Sequence, residues 1–297
     1  MIGRPRQRPG HPYLAGAPLL VAHRGGAALA PENTLEAFVS AVQRWGADML
    51  ELDVHLSRDG EVVVIHDPTV DRTTDGSGAV ADLTWGELRD LDAGARWESV
   101  HGERRFAGRG VGLPLLREVL ERLPDTRLNV ETKVRDVAGP MVDVVRACNA
   151  EHRVLLAAEH ERNRVHVRSD WTGPVGASRR QIAGFMLLTR VPWLSATPAT
   201  DVLQIPPRWP VAGRVRPILT EALVREAHRR NVPVHAWTID EAEEMDRLLD
   251  IGVDAIQTDR PDILADVLHR RTGRPLPPAA RDDAAAPVVG GTAPSSA

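Results

Sequence analysis

The sequence predicts an α/β fold, a closed barrel of eight parallel strands with helices outside, and three observations carry that expectation. Short runs rich in β-branched residues or leucine alternate with longer segments of helical period, the mark of parallel strands joined by crossover helices. Of 297 residues, the last 26 (272–297) include 17 Pro, Gly, Ala or Ser, and the first 17 are Pro-rich and basic; setting both aside leaves 254. That is close to the roughly 250 residues typical of an eight-stranded α/β barrel. Finally, polar residues gather at the C-terminal ends of the strand candidates, the rim where such barrels hold their reacting groups. The expected layout is a flexible extension at 1–17, one barrel domain at 18–271 and a disordered tail at 272–297.

Strands are expected at 18–23, 49–54, 62–66, 127–132, 153–157, 174–178, 202–205 and 232–238, with 255–258 as an extra candidate. The first helix follows Asn33, which stands three residues before Glu36 as in a capping box, and Leu35, Phe38, Val39, Val42 and Trp45 share a face before Gly46. Thr84 with Glu87 starts a shorter helix through Leu91, and Leu115, Val119, Leu120 and Leu123 mark another. Thr220 opens one that carries Leu223, Val224 and Ala227, and Asp240 with Glu243 opens a last one with Met245, Leu248 and Leu249, ended by Gly252.

Two places break the alternation. Between 54 and 62 there is no room for a helix, but Asp59-Gly60 is a two-residue hairpin signal that would set Arg58 opposite Glu61 and Asp53 opposite His66. A parallel pairing would also bring these last two near one another. Residues 68–113 hold only one short helix, which makes them an expected insertion over the site.

Composition bounds the function. Apolar residues are 42% and charged residues 26%, enough for a sizeable core, and the net charge of -4 without blocks of like charge argues against nucleic acid as a partner. The lone cysteine, Cys148, expected inside a helix, rules out an internal disulfide and any Cys-based zinc site. No run approaches a signal-peptide core or a membrane span, so the expected setting is the cytoplasm and the expected partner a small molecule.

The strand ends spell out a chemistry. They carry His23-Arg24-Gly25-Gly26, Glu51-Leu52-Asp53, His66-Asp67, Glu131-Thr132-Lys133 and Trp237. Side chains two apart on a strand share a face, so Glu51 points with Asp53 and Glu131 with Lys133. Three converging carboxylates repel one another unless a cation neutralises them, and an all-oxygen shell suits Mg²⁺ or Ca²⁺. Two histidines beside such an ion supply one proton acceptor and one donor, while Arg24 and Lys133 suit anionic oxygens. Together these fit hydrolysis of a phosphodiester. Plainer roles compete for the same residues: Glu51 and Asp53 as a solvated strand face, Arg24 and Lys133 as partners of rim acids, Trp237 as core. Asn33 has an adequate task as a helix cap and stays outside the catalytic set. The other histidines, His55 and His235 among them, are expected to be solvated or structural.

The ordered set His23-Arg24-Gly25, Pro31-Glu32-Asn33-Thr34, Glu51-x-Asp53-Val54, Asp59-Gly60, His66-Asp67, Glu131-x-Lys133, Trp237-Thr238 and Thr258-Asp259-x-Pro261 resembles the glycerophosphodiester phosphodiesterase family. The resemblance implies a TIM-type (β/α)8 barrel that converts a glycerophosphodiester into glycerol 3-phosphate and an alcohol. It implies His23 and His66 as the acid/base pair, Glu51, Asp53 and Glu131 as ligands of one divalent cation, and Arg24, Lys133 and Trp237 as contacts to phosphate or glycerol. Gln257 departs from the aliphatic residue common at its position. The apolar run 185–193, with 203–206, is similar to members that act on lysophospholipids, which makes lysophospholipase D activity the enzyme alternative. A catalytically silent phosphoester-binding barrel is the alternative outside enzymes.

Overall fold

The computed structural model describes residues 12–164, 171–188, 200–211 and 214–275. Most of the expected extension and tail, the histidines at 11 and 166, and positions 189–193 of the apolar run lie outside the described residues.

Seven parallel strands form the main sheet: β1 (Leu19–Ala22), β2 (Met49–Leu56), β4 (Arg127–Thr132), β5 (Val154–Ala157), β6 (Leu203–Ile205), β9 (Val234–Ala236) and β10 (Ala255–Thr258). Their order is β5-β4-β2-β1-β10-β9-β6, and β3 (Val62–Val64) adds antiparallel to β2. The sheet curls into a half-barrel. Its two ends are linked through 174–178, where single parallel bridges join Leu156 to Val175 and Gly176 to Val202. The expected strand there is reduced to these bridges. Gly176 N donates to Leu156 O and Ala177 N to Val202 O, but Pro174 has no N–H to extend the ladder.

The α-helices whose full extent lies among the described residues are α1 (Leu35–Gln43), α2 (Trp85–Arg89), α3 (Leu116–Arg122), α4 (Ala138–Ala147), α5 (Arg179–Leu188), α6 (Glu221–Arg229), α7 (Ala242–Asp250) and α8 (Pro261–Thr272). Thr84 and Glu87 make the expected capping box on α2, and Thr220 caps α6. Two expected caps are displaced. Thr34, one residue after Asn33, accepts from Ala37 N to cap α1, because Asn33 sits at φ +57 with its side chain turned elsewhere. Asp240 does not cap α7; its carboxylate accepts from Thr258 Oγ1 and Asp259 N. Cys148 is the residue just past α4 rather than inside it.

The β2–β3 pairing is in a register one residue from that expected: Leu56 faces Val62 and Val54 faces Val64. Ile65 N then donates to Asp53 O, so Ile65 rather than His66 stands opposite Asp53. The loop is longer than two residues because Ser57 is part of it. Its N–H donates to Glu61 O, and its hydroxyl accepts from Glu61 N. A second hairpin, β7 (Arg208–Val211) with β8 (Arg214–Pro217), was not expected; its Pro and Arg content hides the strand pattern.

Apolar packing fills three regions. The largest lies between sheet and helices and includes Leu50, Leu52, Val130, Met141, Leu203 and Leu248. A second fills the lower half of the barrel, where Leu19, Val21, Met49, Leu155, Val202 and Ala255 surround Tyr13. Tyr13 is 1% exposed, and Arg127 at the start of β4 donates to the carbonyls of Tyr13 and Ala15, so residues 12–15 floor the barrel. The third lies under segment 68–113, with Val63, Ile65, Val70, Val80, Leu88 and Val111.

Candidate active site

His23 follows the last residue of β1, and the chain must turn sharply there. Arg24, Gly25 and Gly26 all adopt positive φ. Gly25 has φ +84, and a Cβ on it would come within 2.7 Å of Ala37 Cβ and 2.9 Å of Phe38 Cδ1. Glycine thus lets the turn press against α1 while His23 and Arg24 project into the barrel mouth. Glu51 and Asp53 come from β2 and Glu131 from β4, Lys133 is the residue just past β4, and the β2–β4 register sets Asp53 beside Glu131. His66 follows β3, and Trp237 follows β9. All eight expected site residues line one cavity of about 210 Å³.

Glu51, Asp53 and Glu131 each offer an oxygen to a common point, all within 4.8 Å of one another. Asp53 is 1% exposed and ion-paired to Lys133 Nζ at 3.0 Å and Arg24 Nε at 3.3 Å. Burial alone would raise its pKa, but Lys133 and Arg24 outweigh burial and hold it at about 2. Glu51 has the opposite balance: burial first, then the charge of Asp53, push it up to about 8. Glu131 is also raised, by burial above all. A trio of oxygen donors in which burial first and mutual repulsion second raise two members fits a divalent cation, which would relieve that repulsion. The same set contains no soft donor, so Mg²⁺ or Ca²⁺ fits it.

Each histidine is oriented by a carboxylate. His23 Nδ1 lies 2.8 Å from Asp259 Oδ1, and His66 Nδ1 lies 2.6 Å from Asp67 Oδ1. An ionised carboxylate only accepts, so Nδ1 carries the hydrogen in both rings and Nε2 is left for chemistry. His23 Nε2 stands 3.8 Å from Glu51 Oε2. Burial would lower the pKa of His23, but Glu51 and Asp259 more than offset it and bring it to about 9.

Several further residues shape the site without a sequence pattern that by itself marks them for it. Asn33 clamps Asp53: its amide donates to Asp53 Oδ2 at 3.0 Å, and its carbonyl accepts from Asp53 N at 3.3 Å. Its place between Glu32 and Thr34 in the Pro-Glu-Asn-Thr motif was the available signal. Arg72 links both halves of the site, donating to both oxygens of Glu32 and to Asp67, while Glu32 in turn accepts from Arg24. A lone arginine on a loop has no spacing to betray it. Asp259 had a motif but no assigned task. Gln257, expected to alter packing near the rim, lines the cavity together with Asn129 and Gln204. His55 is structural as expected, its Nε2 bonded to His66 O.

The sequence matches the profile of the Glycerophosphoryl diester phosphodiesterase family over residues 23–263. The chain belongs to that family. Among its relatives, "Probable glycerophosphodiester phosphodiesterase 2" of Mycobacterium tuberculosis is 36% identical over 263 residues, covering 86% of this chain and 92% of that protein. The glycerophosphodiester phosphodiesterase of Caldanaerobacter subterraneus is 34% identical over 260 residues, covering 85% and 98%. The crystal structure of a glycerophosphodiester phosphodiesterase from Agrobacterium tumefaciens superposes with a TM-score of 0.67 at 28% identity, over 83% of this chain and 99% of that one. The family match begins at His23 and ends beyond Asp259, so it embraces every residue of the site described above.

Proposed function

We propose that this chain hydrolyses glycerophosphodiesters to glycerol 3-phosphate and an alcohol, with His23 and His66 as its acid/base pair and one divalent cation held by Glu51, Asp53 and Glu131. The observation that carries the reading is the meeting of those three carboxylates in one cavity with two carboxylate-oriented imidazoles and two cations. In this reading the strand bridges at 174–178 count as the remaining position of a complete (β/α)8 barrel.

When bound, the cation, Mg²⁺ or Ca²⁺, supplies Lewis-acid polarisation of the phosphoryl group and lowers the pKa of an attacking hydroxyl. The protein side chains do the rest. Arg24 and Lys133 are drawn toward the carboxylates through Asp53, and both present N–H donors that suit the non-bridging phosphate oxygens. In this reading His23 donates from Nε2 to the departing alkoxide, while His66 Nε2 takes the proton of the attacking hydroxyl. Asp259 and Asp67 keep the tautomers that make this possible. Trp237, whose indole N–H has no partner among the described residues, offers an apolar face with one donor to the glycerol moiety.

The test is release of glycerol 3-phosphate. The chelator-stripped protein is expected to be inert toward glycerophosphocholine and glycerophosphoethanolamine and to recover with Mg²⁺ or Ca²⁺. No release with either ion from any glycerophosphodiester would overturn the reading. Lysophosphatidylcholine belongs in the same assay, and faster choline release from it than from the deacylated diester would turn the assignment to lysophospholipase D. Phe185, the first residue of the run that suggested an acyl-chain surface, is 2% exposed and packs in the core between sheet and helices.

A further inference from the structure

Part of the cavity lining has no task in the reaction so far. Glu159, two residues beyond β5, Arg179 at the start of α5, Ile182 one turn later and Trp209 on β7 all face the same cavity as the catalytic groups. The guanidinium of Arg179 lies over the Trp209 ring, 4.9 Å from its centroid, and pairs with the Glu159 carboxylate. An aromatic face combined with a carboxylate is a seat for a cation, and here the chain's own arginine occupies it. The Arg179 side chain is 50% exposed, so its guanidinium has solvent to move into when it leaves the seat.

The position of this seat gives it meaning. In the β4–β5 register Glu131 stands beside Ala157, and Glu159, two residues past that pair, lines the same cavity as Lys133 and lies close enough to Glu131 to act on its charge. A phosphodiester whose anionic oxygens are met by Lys133 and Arg24 would therefore carry one ester substituent toward Glu159 and Trp209.

We propose that Glu159 and Trp209 form the seat for the alcohol half of the substrate, that the seat takes a cationic amino alcohol, and that Arg179 fills it until the substrate's ammonium displaces it. The proposal rests on the hydrolase reading above and adds the class of headgroup. A primary or quaternary ammonium would exchange with the guanidinium one for one, so no buried charge is left unpaired at any stage. Ile182 supplies apolar contact for the carbons between ester and ammonium.

The experiment compares kcat/KM for glycerophosphocholine with that for the uncharged-headgroup diester glycerophosphoglycerol, at saturating Mg²⁺, in wild type, Glu159→Gln, Trp209→Leu, Arg179→Ala and Arg179→Lys. The choline-to-glycerol ratio is expected to fall about tenfold in Glu159→Gln and in Trp209→Leu, through KM. It should rise severalfold in Arg179→Ala, whose seat is vacant, and stay near wild type in Arg179→Lys. Ratios unmoved by both Glu159→Gln and Trp209→Leu, with glycerophosphoglycerol still hydrolysed, would overturn the proposal. So would a falling ratio in Arg179→Ala, which would make the arginine itself the headgroup contact. A wild type inert toward both diesters would instead overturn the hydrolase reading beneath it.

Discussion

Single residues in this barrel carry charges that only their surroundings make tolerable. His23→Ala and His66→Ala are each expected to reduce turnover by two or more orders of magnitude, the scale of a lost acid or base, with circular dichroism and the unfolding midpoint near wild type. Wild-type rates in either variant would remove that residue from the mechanism. Glu51→Gln is expected to weaken the affinity for Mg²⁺ or Ca²⁺ more than it lowers turnover at saturating metal, which a titration of activity against free metal would resolve. His235 shows the opposite kind of dependence on place. It is 1% exposed, neither ring nitrogen has a partner among the described residues, and burial holds its pKa at about 4. An unfolded histidine takes up a proton below about pH 6.5, and the folded one does so only near pH 4. Stability contributed by neutral His235 is therefore full above pH 6.5 and lost as pH falls toward 4, by about 2 kcal/mol at pH 5. Urea unfolding at pH 7 and pH 5 should show that extra loss in wild type and not in His235→Leu; equal slopes would mean that water reaches the ring.

At the scale of elements, the sequence speaks clearly where one force dominates. The strands at 49–54, 127–132 and 255–258 fall inside observed strands because dense β-branched or leucine runs are bounded by turns on both sides. Where two local choices nearly balance, the sequence is ambiguous. Asn33 and Thr34 can each cap a helix, and the contact that draws Asn33 to Asp53 lies twenty residues away and decides in favour of Thr34. Asp59-Gly60 announced a hairpin correctly but not its register, because Ser57 enlarges the loop through its own hydroxyl. All eight expected site residues meet in one cavity, since motifs at strand ends inherit their convergence from the barrel. The residues that orient them from loops, Arg72 above all, have no such geometry to make them visible. The β1–α1 turn offers a sharp test. Gly25→Ala combines a disfavoured φ with contacts under 3 Å, and is expected to cost about 3 kcal/mol. Because His23 and Arg24 ride on that turn, activity should fall further than stability alone explains. A variant with wild-type midpoint and rate would show that the turn simply shifts aside.

At the scale of the whole molecule, most acids are solvated at the surface, whereas Glu51 and Asp53 are buried at the barrel mouth beside Glu131. Glu51 pushed up to about 8 is stability forgone by the metal-free chain, and in the proposed reading a bound divalent ion would restore it. Melting temperature should therefore rise with added Mg²⁺ or Ca²⁺ and fall with chelator, by the equivalent of about 2.7 kcal/mol at a hundred times Kd. The same titration on a variant lacking all three carboxylates should be flat; an equal shift there would point to a different ion site.

Tyr13 and the neighbouring carbonyls bound by Arg127 stop the barrel at its far end. Among the described residues that end is filled, so in the proposed reading a diester arrives and both fragments depart through the mouth that holds the site. Whichever fragment lingers stands in the way of the next molecule, so glycerol 3-phosphate is expected to inhibit competitively, and its escape becomes a natural ceiling on the rate.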